Sequence, residues 1–313
     1  MGAGTHATGA APGGLGPLGA KRRRWGEEVI RALLFCAAAI SVLTTIGILV
    51  ALLTESIPFF KEVGTSFFTE TEWSPLFADP QFGIWPLLNG TFLITGIAIA
   101  VAIPLGLGSA IYLSEYATPR VRKVVKPILE VLVGVPTVVF GYFALTFVTP
   151  QILQALGIHV QVYNALSAGL VMGIMIVPTI ASISEDAMRA VPQGLREGAY
   201  GMGATKRQVA TKVVFPAAIS GIVAACVLGV SRGVGETMIV LLAAGLQPNL
   251  GVDPVDGYAT ITTFMGSAAD GDNPAGSIGY ESIFACGLIL FVLTLIMNMI
   301  AIRFVRKYRE VYE

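Results

Sequence analysis

Six long apolar runs constrain this chain more than any other feature. They cover residues 30–53, 87–113, 127–148, 163–183, 217–244 and 282–304, and each approaches or exceeds the roughly 20 residues that a helix needs to cross a hydrocarbon core. None shows the two-residue alternation of a barrel strand, and backbone in lipid must satisfy its own hydrogen bonds, so the runs predict helices. With 54% hydrophobic and only 13% charged residues, the composition is far from the roughly 25% charged of a soluble domain. The expected fold is an all-α integral membrane protein with six transmembrane helices.

The net charge is zero, but the charges are sorted along the chain. Lys21, Arg22, Arg23 and Arg24 precede the first run, and Arg120, Arg122, Lys123 and Lys126 lie between the second and third. Arg189, Arg196, Lys206, Arg207 and Lys212 separate the fourth from the fifth, and Arg303, Arg306, Lys307 and Arg309 follow the sixth. The alternate loops carry Lys61 as their only basic residue, against acids such as Glu55, Glu62, Asp253, Asp256 and Asp272. The positive-inside rule then puts both termini on the cytoplasmic side of the membrane.

On this plan residues 1–28 form a disordered cytoplasmic tail rich in Gly, Ala and Pro, 29–54 the first helix and 55–86 an outer loop. Residues 87–305 form the core and 306–313 a short tail. The aromatic residues of the outer loop, Phe59, Phe60, Phe67, Phe68, Trp73, Phe77, Phe82 and Trp85, are expected to lie along the membrane interface. Residues 245–281 read as a second outer loop. Cys36, Cys226 and Cys286 fall within spans without metal-ligand spacing and are expected to pack as small apolar residues. Pro104, Pro136 and Pro178 interrupt the second, third and fourth runs, where bends can surround a polar path or merely kink the helices. In the fifth run Gly221, Ala225, Gly229 and Gly233 form a small-residue stripe suited to close helix packing, within the chain or against a second subunit.

The segment 191–216 carries its own local plan. Pro192 can start a helix, Leu195, Ala199 and Met202 then share a face, and Gly203 is placed to end it. Thr205 and Gln208 have capping-box spacing, so a second helix begins there. Glu197, Ala199, Gly203, Val213, Phe215 and Pro216 match in register the motif Glu-Ala-Ala, three residues, Gly, nine residues, Ile, one residue, Leu-Pro. The chain departs at Gly198, Val213 and Phe215. This pattern resembles the permease subunits of bacterial ABC importers, whose type I fold is thereby implied. The stretches VGVPTVVFG at 133–141, IASISEDA at 180–187 and SRGVGETM at 231–238 are similar to the PstC family of phosphate-importer permeases.

The resemblance implies a subunit that shares a translocation path with a sister permease and receives phosphate from an extracytoplasmic binding protein. It also implies that Leu195, Glu197, Ala199, Met202 and Gly203 belong to a coupling helix docked on a cytoplasmic ATPase dimer. The chain itself has no GxxxxGK[ST] phosphate cradle, so nucleotide chemistry is expected in a partner, and no enzymatic role, cofactor, metal or nucleic acid is expected here. Permeases for sulfate, molybdate or phosphonate share the motif, and a secondary transporter or channel would instead show inverted repeats with paired broken helices.

Arg232 and Glu236 are the only charges well inside a run. On a continuous helix they would be neighbours four residues apart, with Arg232 about 22 Å into the membrane. Either the pair neutralises itself and only packs the bundle, or Arg232 offers paired donors to a phosphate while Glu236 competes for it. Thr137, Ser182, Ser184, Ser231 and Thr237 are candidate hydroxyls along the path, unless they bond their own helices. Glu185 and Asp186 are expected on the cytoplasmic surface, and His6 and His159 in tail and loop.

Overall fold

The computed structural model describes residues 25–308 apart from 76, 78 and 272, and the expected tails over 1–24 and 309–313 lie outside it. The chain divides into two compact units, residues 1–51 and 52–313. Among the described residues the architecture is all-α except for one hairpin of two two-residue strands.

Helix α1, Trp25–Val63, is 39 residues long, so it extends nine residues beyond the expected end at 54. Its apolar side chains through residue 51 are largely exposed, as with Leu33 at 65% and Phe35 at 73%, which suits a helix whose solvent is lipid. After Gly64, whose φ of +63° permits the turn, follow α2, Ser66–Thr69, and a hairpin of β1, Trp73–Ser74, with β2, Gln81–Phe82. Trp73 pairs with Phe82 and Ser74 with Gln81.

The aromatic residues here correct the sequence reading. Phe59, Phe67, Trp73 and Phe82 are buried rather than interfacial. Phe59 meets Phe67 at 5.3 Å and Phe82 at 5.2 Å, both edge to face, a geometry that adds to the free energy of area burial. Phe68, Phe77 and Trp85 remain exposed.

Next come α3, Trp85–Ile111, extended by a π-turn over Tyr112–Tyr116, α4, Pro119–Val133, and α5, Thr137–Phe143, continued by a π-segment Ala144–Leu153. Helix α6, Ala165–Arg189, begins at Asn164, whose side chain accepts from the Ser167 N–H at 2.8 Å. Four short pieces lead to the fifth run: α7, Gln193–Gly201, α8, Lys206–Val209, a π-turn Ala210–Val214, and α9, Phe215–Ala217. The remainder is α10, Ile219–Val234, α11, Met238–Ala243, α12, Ile261–Ala269, and α13, Ile278–Tyr308. Helix α12 lies in what the sequence suggested was loop. Its start is fixed by Thr260, which forms a capping box with Thr263 in place of the usual Glu or Gln.

Among the described residues four helices are each long and apolar enough to cross a membrane: α1, α3 with its π-turn, α6 and α13. The third and fifth runs are broken. Helix α4 meets α5 at 89°, and the 206–217 segment meets α10 at 72°, so there are up to six spans if each bent pair counts as one. The first break falls at Gly134–Pro136, where proline has no N–H to continue the ladder and restricts the residue before it. Helix α4 is amphipathic and has no buried residue; Val124, Ile128 and Val131 form its exposed apolar face.

Helices α3 and α6 form the most extensive pair, and they approach so closely that a Cβ on Gly173 would lie 2.7 Å from the Ala98 carbonyl oxygen. The small-residue stripe of α10 packs within this chain: Gly221 faces Ala187, Gly229 faces Ile176 and Ile180, and Gly233 faces Thr95. That contact replaces the second subunit considered from sequence. Cys286 is buried in the aromatic cluster, Cys226 is half-buried and Cys36 is exposed.

Candidate functional site

The fifth run does not continue as one helix through the two charges. Helix α10 ends at Val234, Gly235 caps it, and α11 starts at Met238. Arg232 therefore sits in the last turn of α10, where a cation is favoured by the partial negative charge of the helix end. Its guanidinium donates to Thr179 Oγ1 on α6 at 3.1 Å. Glu236 is buried at the other side of the break, and its Oε1 accepts from the N–H groups of Met238 at 3.1 Å and Ile239 at 3.3 Å. Among the described residues no ion pair joins Arg232 to Glu236. The expected i, i+4 pair is overturned because Gly235 interrupts the helix between its members.

Threonines close around the break. Thr262 donates to the Glu236 carbonyl at 2.7 Å, and Thr91 accepts from the Ile261 N–H at 3.1 Å. Thr91, Thr95, Thr260 and Thr262 line the same small pocket as Glu236. Ser231 reaches another span by donating to Asn298 Oδ1 on α13 at 3.2 Å. Adjacent residues of α10 thus bond to two other helices, Ser231 to Asn298 on α13 and Arg232 to Thr179 on α6. Thr137 stands in the first turn of α5, and neither it nor Thr237 hydrogen-bonds to Arg232. Sequence reading missed Thr179 and Asn298; the lone amide in the apolar last run was the available signal.

The segment 191–216 follows its local plan. Pro192 is the N-cap of α7, Gly203 has φ +82°, and the N–H groups of Gly203 and Ala204 bond to the carbonyls of Tyr200 and Ala199 at 2.9 and 3.1 Å. This is a glycine-terminated Schellman end. The Thr205–Gln208 capping box then starts α8. Leu195, Ala199 and Met202, expected on one face, differ in exposure. Ala199 is buried, whereas Leu195 is 39% and Met202 86% exposed, and Glu197 is exposed beside them. The inward face instead carries Arg196, which donates to the carbonyls of Val191 and Met188 and to Glu115 Oε1.

Glu185 also departs from expectation, being fully buried rather than on the surface. Its carboxylate meets Arg122 at 2.6 Å and Lys126 at 2.9 Å, both on α4, with Arg189 at 4.0 Å. Asp186 stays exposed while pairing with Lys126 at 2.5 Å. The Ser184 hydroxyl beside them is buried without a hydrogen-bond partner.

A helical membrane bundle with a cation at a break in one span and a partly exposed helix among its basic loops has the parts expected of the membrane subunit of a transporter. Residues 102–310 match the family described as binding-protein-dependent transport system inner membrane component, and the chain belongs to that family. It is an inner-membrane permease of an ABC transporter, a transport component rather than an enzyme.

Among curated relatives, the probable ABC transporter permease protein YqgH of Bacillus subtilis is 34% identical over 93% of this chain and 94% of its own length. The phosphate transport system permease protein PstC of Haemophilus influenzae is 30% identical, with 91% and 95% covered. The corresponding PstC 1 of Mycobacterium tuberculosis is 34% identical, with 78% and 82% covered. A bacterial alginate ABC transporter solved with a pentasaccharide-bound periplasmic protein superposes with a TM-score of 0.60 at 19% identity, over 90% of this chain and 96% of that one. The MetNI methionine ABC transporter in inward-facing form gives 0.53 at 20%, over 73% and 95%. Those two likenesses establish a shared permease fold.

Proposed function

We propose that this chain, together with a sister permease, forms the membrane path of an ATP-driven importer of inorganic phosphate. The observation that carries the reading is Arg232: a guanidinium in the last turn of a broken span, hydrogen-bonded to one hydroxyl and joined to no carboxylate. Arginine inside a membrane costs about 2.5 to 3.5 kcal/mol on insertion scales and by default marks a functional position. Its remaining donors match the oxygens of an oxyanion, and the Thr179 hydroxyl supplies a further polar group beside it. The relatives named as phosphate transport system permeases favour phosphate among oxyanions.

On the cytoplasmic side, α7 is the coupling helix, and Leu195, Glu197 and Met202 form its outward face toward an ATPase dimer. Ala199 and Gly203 act from behind, one packing inward and one ending the helix. A phosphate-binding protein delivers substrate from the opposite side, and both termini are cytoplasmic.

The test is parallel uptake of labelled phosphate and sulfate by vesicles carrying the assembled importer. Arg232→Ala should abolish phosphate uptake, and Arg232→Lys should leave less than a tenth of it, since an ammonium lacks the planar fork. Normal rate and affinity in Arg232→Lys would refute the paired-donor role. Sulfate uptake in place of phosphate would overturn the substrate.

A further inference from the structure

Helix α7 has nine residues, and only Arg196 and Ala199 among them are buried. A single methyl group cannot by itself fix how a short helix sits on the bundle. The orientation therefore rests on Arg196, whose side chain is 10% exposed. One guanidinium nitrogen donates to the Val191 carbonyl; the other donates to Met188 O at 2.8 Å and to Glu115 Oε1 at 3.2 Å. The first two acceptors belong to the C-terminal end of α6 and the turn that follows it. Glu115 lies in the π-turn that ends the α3 span, its side chain only 6% exposed, and its Oε1 also accepts from Ser114 at 2.9 Å. One arginine thus ties α7 to the ends of two membrane-crossing helices. A second link runs the same way, with Lys206 at the start of α8 5.2 Å from the ring centre of Tyr116 in that π-turn. A polar cleft of about 470 Å³, lined among others by Glu115, Arg189, Arg196 and Glu197, opens beside the contact and leaves it room to shift.

From this geometry we infer that Arg196 and Glu115 are the positioning pair through which displacement of α7 reaches the α3 and α6 spans. The inference rests on the reading of α7 as a coupling helix and adds which residues carry the motion inward. The carbonyl contacts bind α7 to α6 without regard to charge, while the carboxylate contact with α3 depends on the ionised Glu115. Neutralising Glu115 therefore weakens the tie to one of the two spans and leaves the outward surface of α7 unchanged.

The experiment uses the complete importer in proteoliposomes. Phosphate uptake and ATP hydrolysis are measured in the same vesicles, and ATPase retention is followed by co-purification, for Glu115→Gln, Arg196→Lys and the double variant. The expected result is ATPase retained at the normal ratio, hydrolysis continuing, and phosphate moved per ATP reduced at least tenfold in Glu115→Gln. The double variant should fall no further than Arg196→Lys, because that substitution already removes the contact with Glu115. Unchanged transport per ATP in Glu115→Gln would overturn the inference, as would losses that multiply in the double variant. Loss of the ATPase from the Glu115→Gln complex would also overturn it, by placing the pair in docking rather than transmission. Failure of the unsubstituted chain to retain an ATPase would instead refute the coupling-helix reading itself.

Discussion

The buried carboxylate of Glu185 gives a direct measure of what holds α4 in place. No side chain of α4 is buried, so its attachment to α6 depends heavily on Arg122 and Lys126 reaching that one group at 2.6 and 2.9 Å. Glu185→Gln keeps the shape and removes the charge. Removing one partner of a buried ion pair costs about 3 to 5 kcal/mol, because the other is left uncompensated. Here the two cations are 22% and 23% exposed, and Lys126 retains Asp186 at 2.5 Å, so solvent and the second acid reduce the loss to about 2 to 3 kcal/mol. That corresponds to a factor of about 30 to 150 in the equilibrium for releasing α4. The assay is amide hydrogen exchange over residues 119–133 of the full chain in detergent, with Arg189→Gln as control. Arg189 sits 4.0 Å away and 51% exposed, so its loss should change protection by less than about 0.5 kcal/mol. Equal effects from the two substitutions, or undiminished protection of α4 in Glu185→Gln, would refute the view that this carboxylate fastens the helix.

Gly203→Ala should destabilise the α7 terminus by about 1 to 2 kcal/mol, since an added Cβ meets no neighbour and the cost is the positive φ alone. Gly203→Asn should cost less, as asparagine tolerates that backbone better, and exchange rates of the Gly203 and Ala204 amides would show the order. Thr262→Val removes the donor to the Glu236 carbonyl and should lower stability by about 1 kcal/mol, measured by thermal unfolding with a thiol-reactive dye reporting the buried Cys286 in a background with Cys36→Ser and Cys226→Ala.

What could be read from the sequence was what local rules decide. The Pro192 start, the Gly203 stop and the Thr205–Gln208 box each depend on residues within a few positions, and each holds. The breaks in the third and fifth runs were less legible, because composition stays apolar through them. Pro136 was noticed as a bend, but an 89° turn requires knowing that α4 lies against α6 through Glu185. Gly235 falls outside the four-residue stripe of Gly221, Ala225, Gly229 and Gly233, and no local motif marks it as a stop. Burial of Phe59, Phe67, Trp73 and Phe82 likewise depends on long-range ring contacts, such as Trp73 with Phe264 at 4.7 Å. No periodicity within residues 55–86 encodes that partner.

The break at Gly235 also changes how the two intramembrane charges work. On an unbroken helix each would need the other to offset its burial, and a phosphate would have to displace Glu236 to reach Arg232. With the helix interrupted, each charge lies at the helix end whose dipole favours its sign. Glu236 is committed to two backbone N–H groups, and hydrogen bonds to a charged group are worth about 1.5 to 3 kcal/mol each. Swinging its carboxylate to Arg232 would orphan both donors in a buried setting, where nothing else replaces them. Glu236 therefore holds the break open and Arg232 keeps its donors free, so the affinity of the proposed path for an anion is set by the guanidinium and the Thr179 hydroxyl bonded to it rather than by competition with a carboxylate.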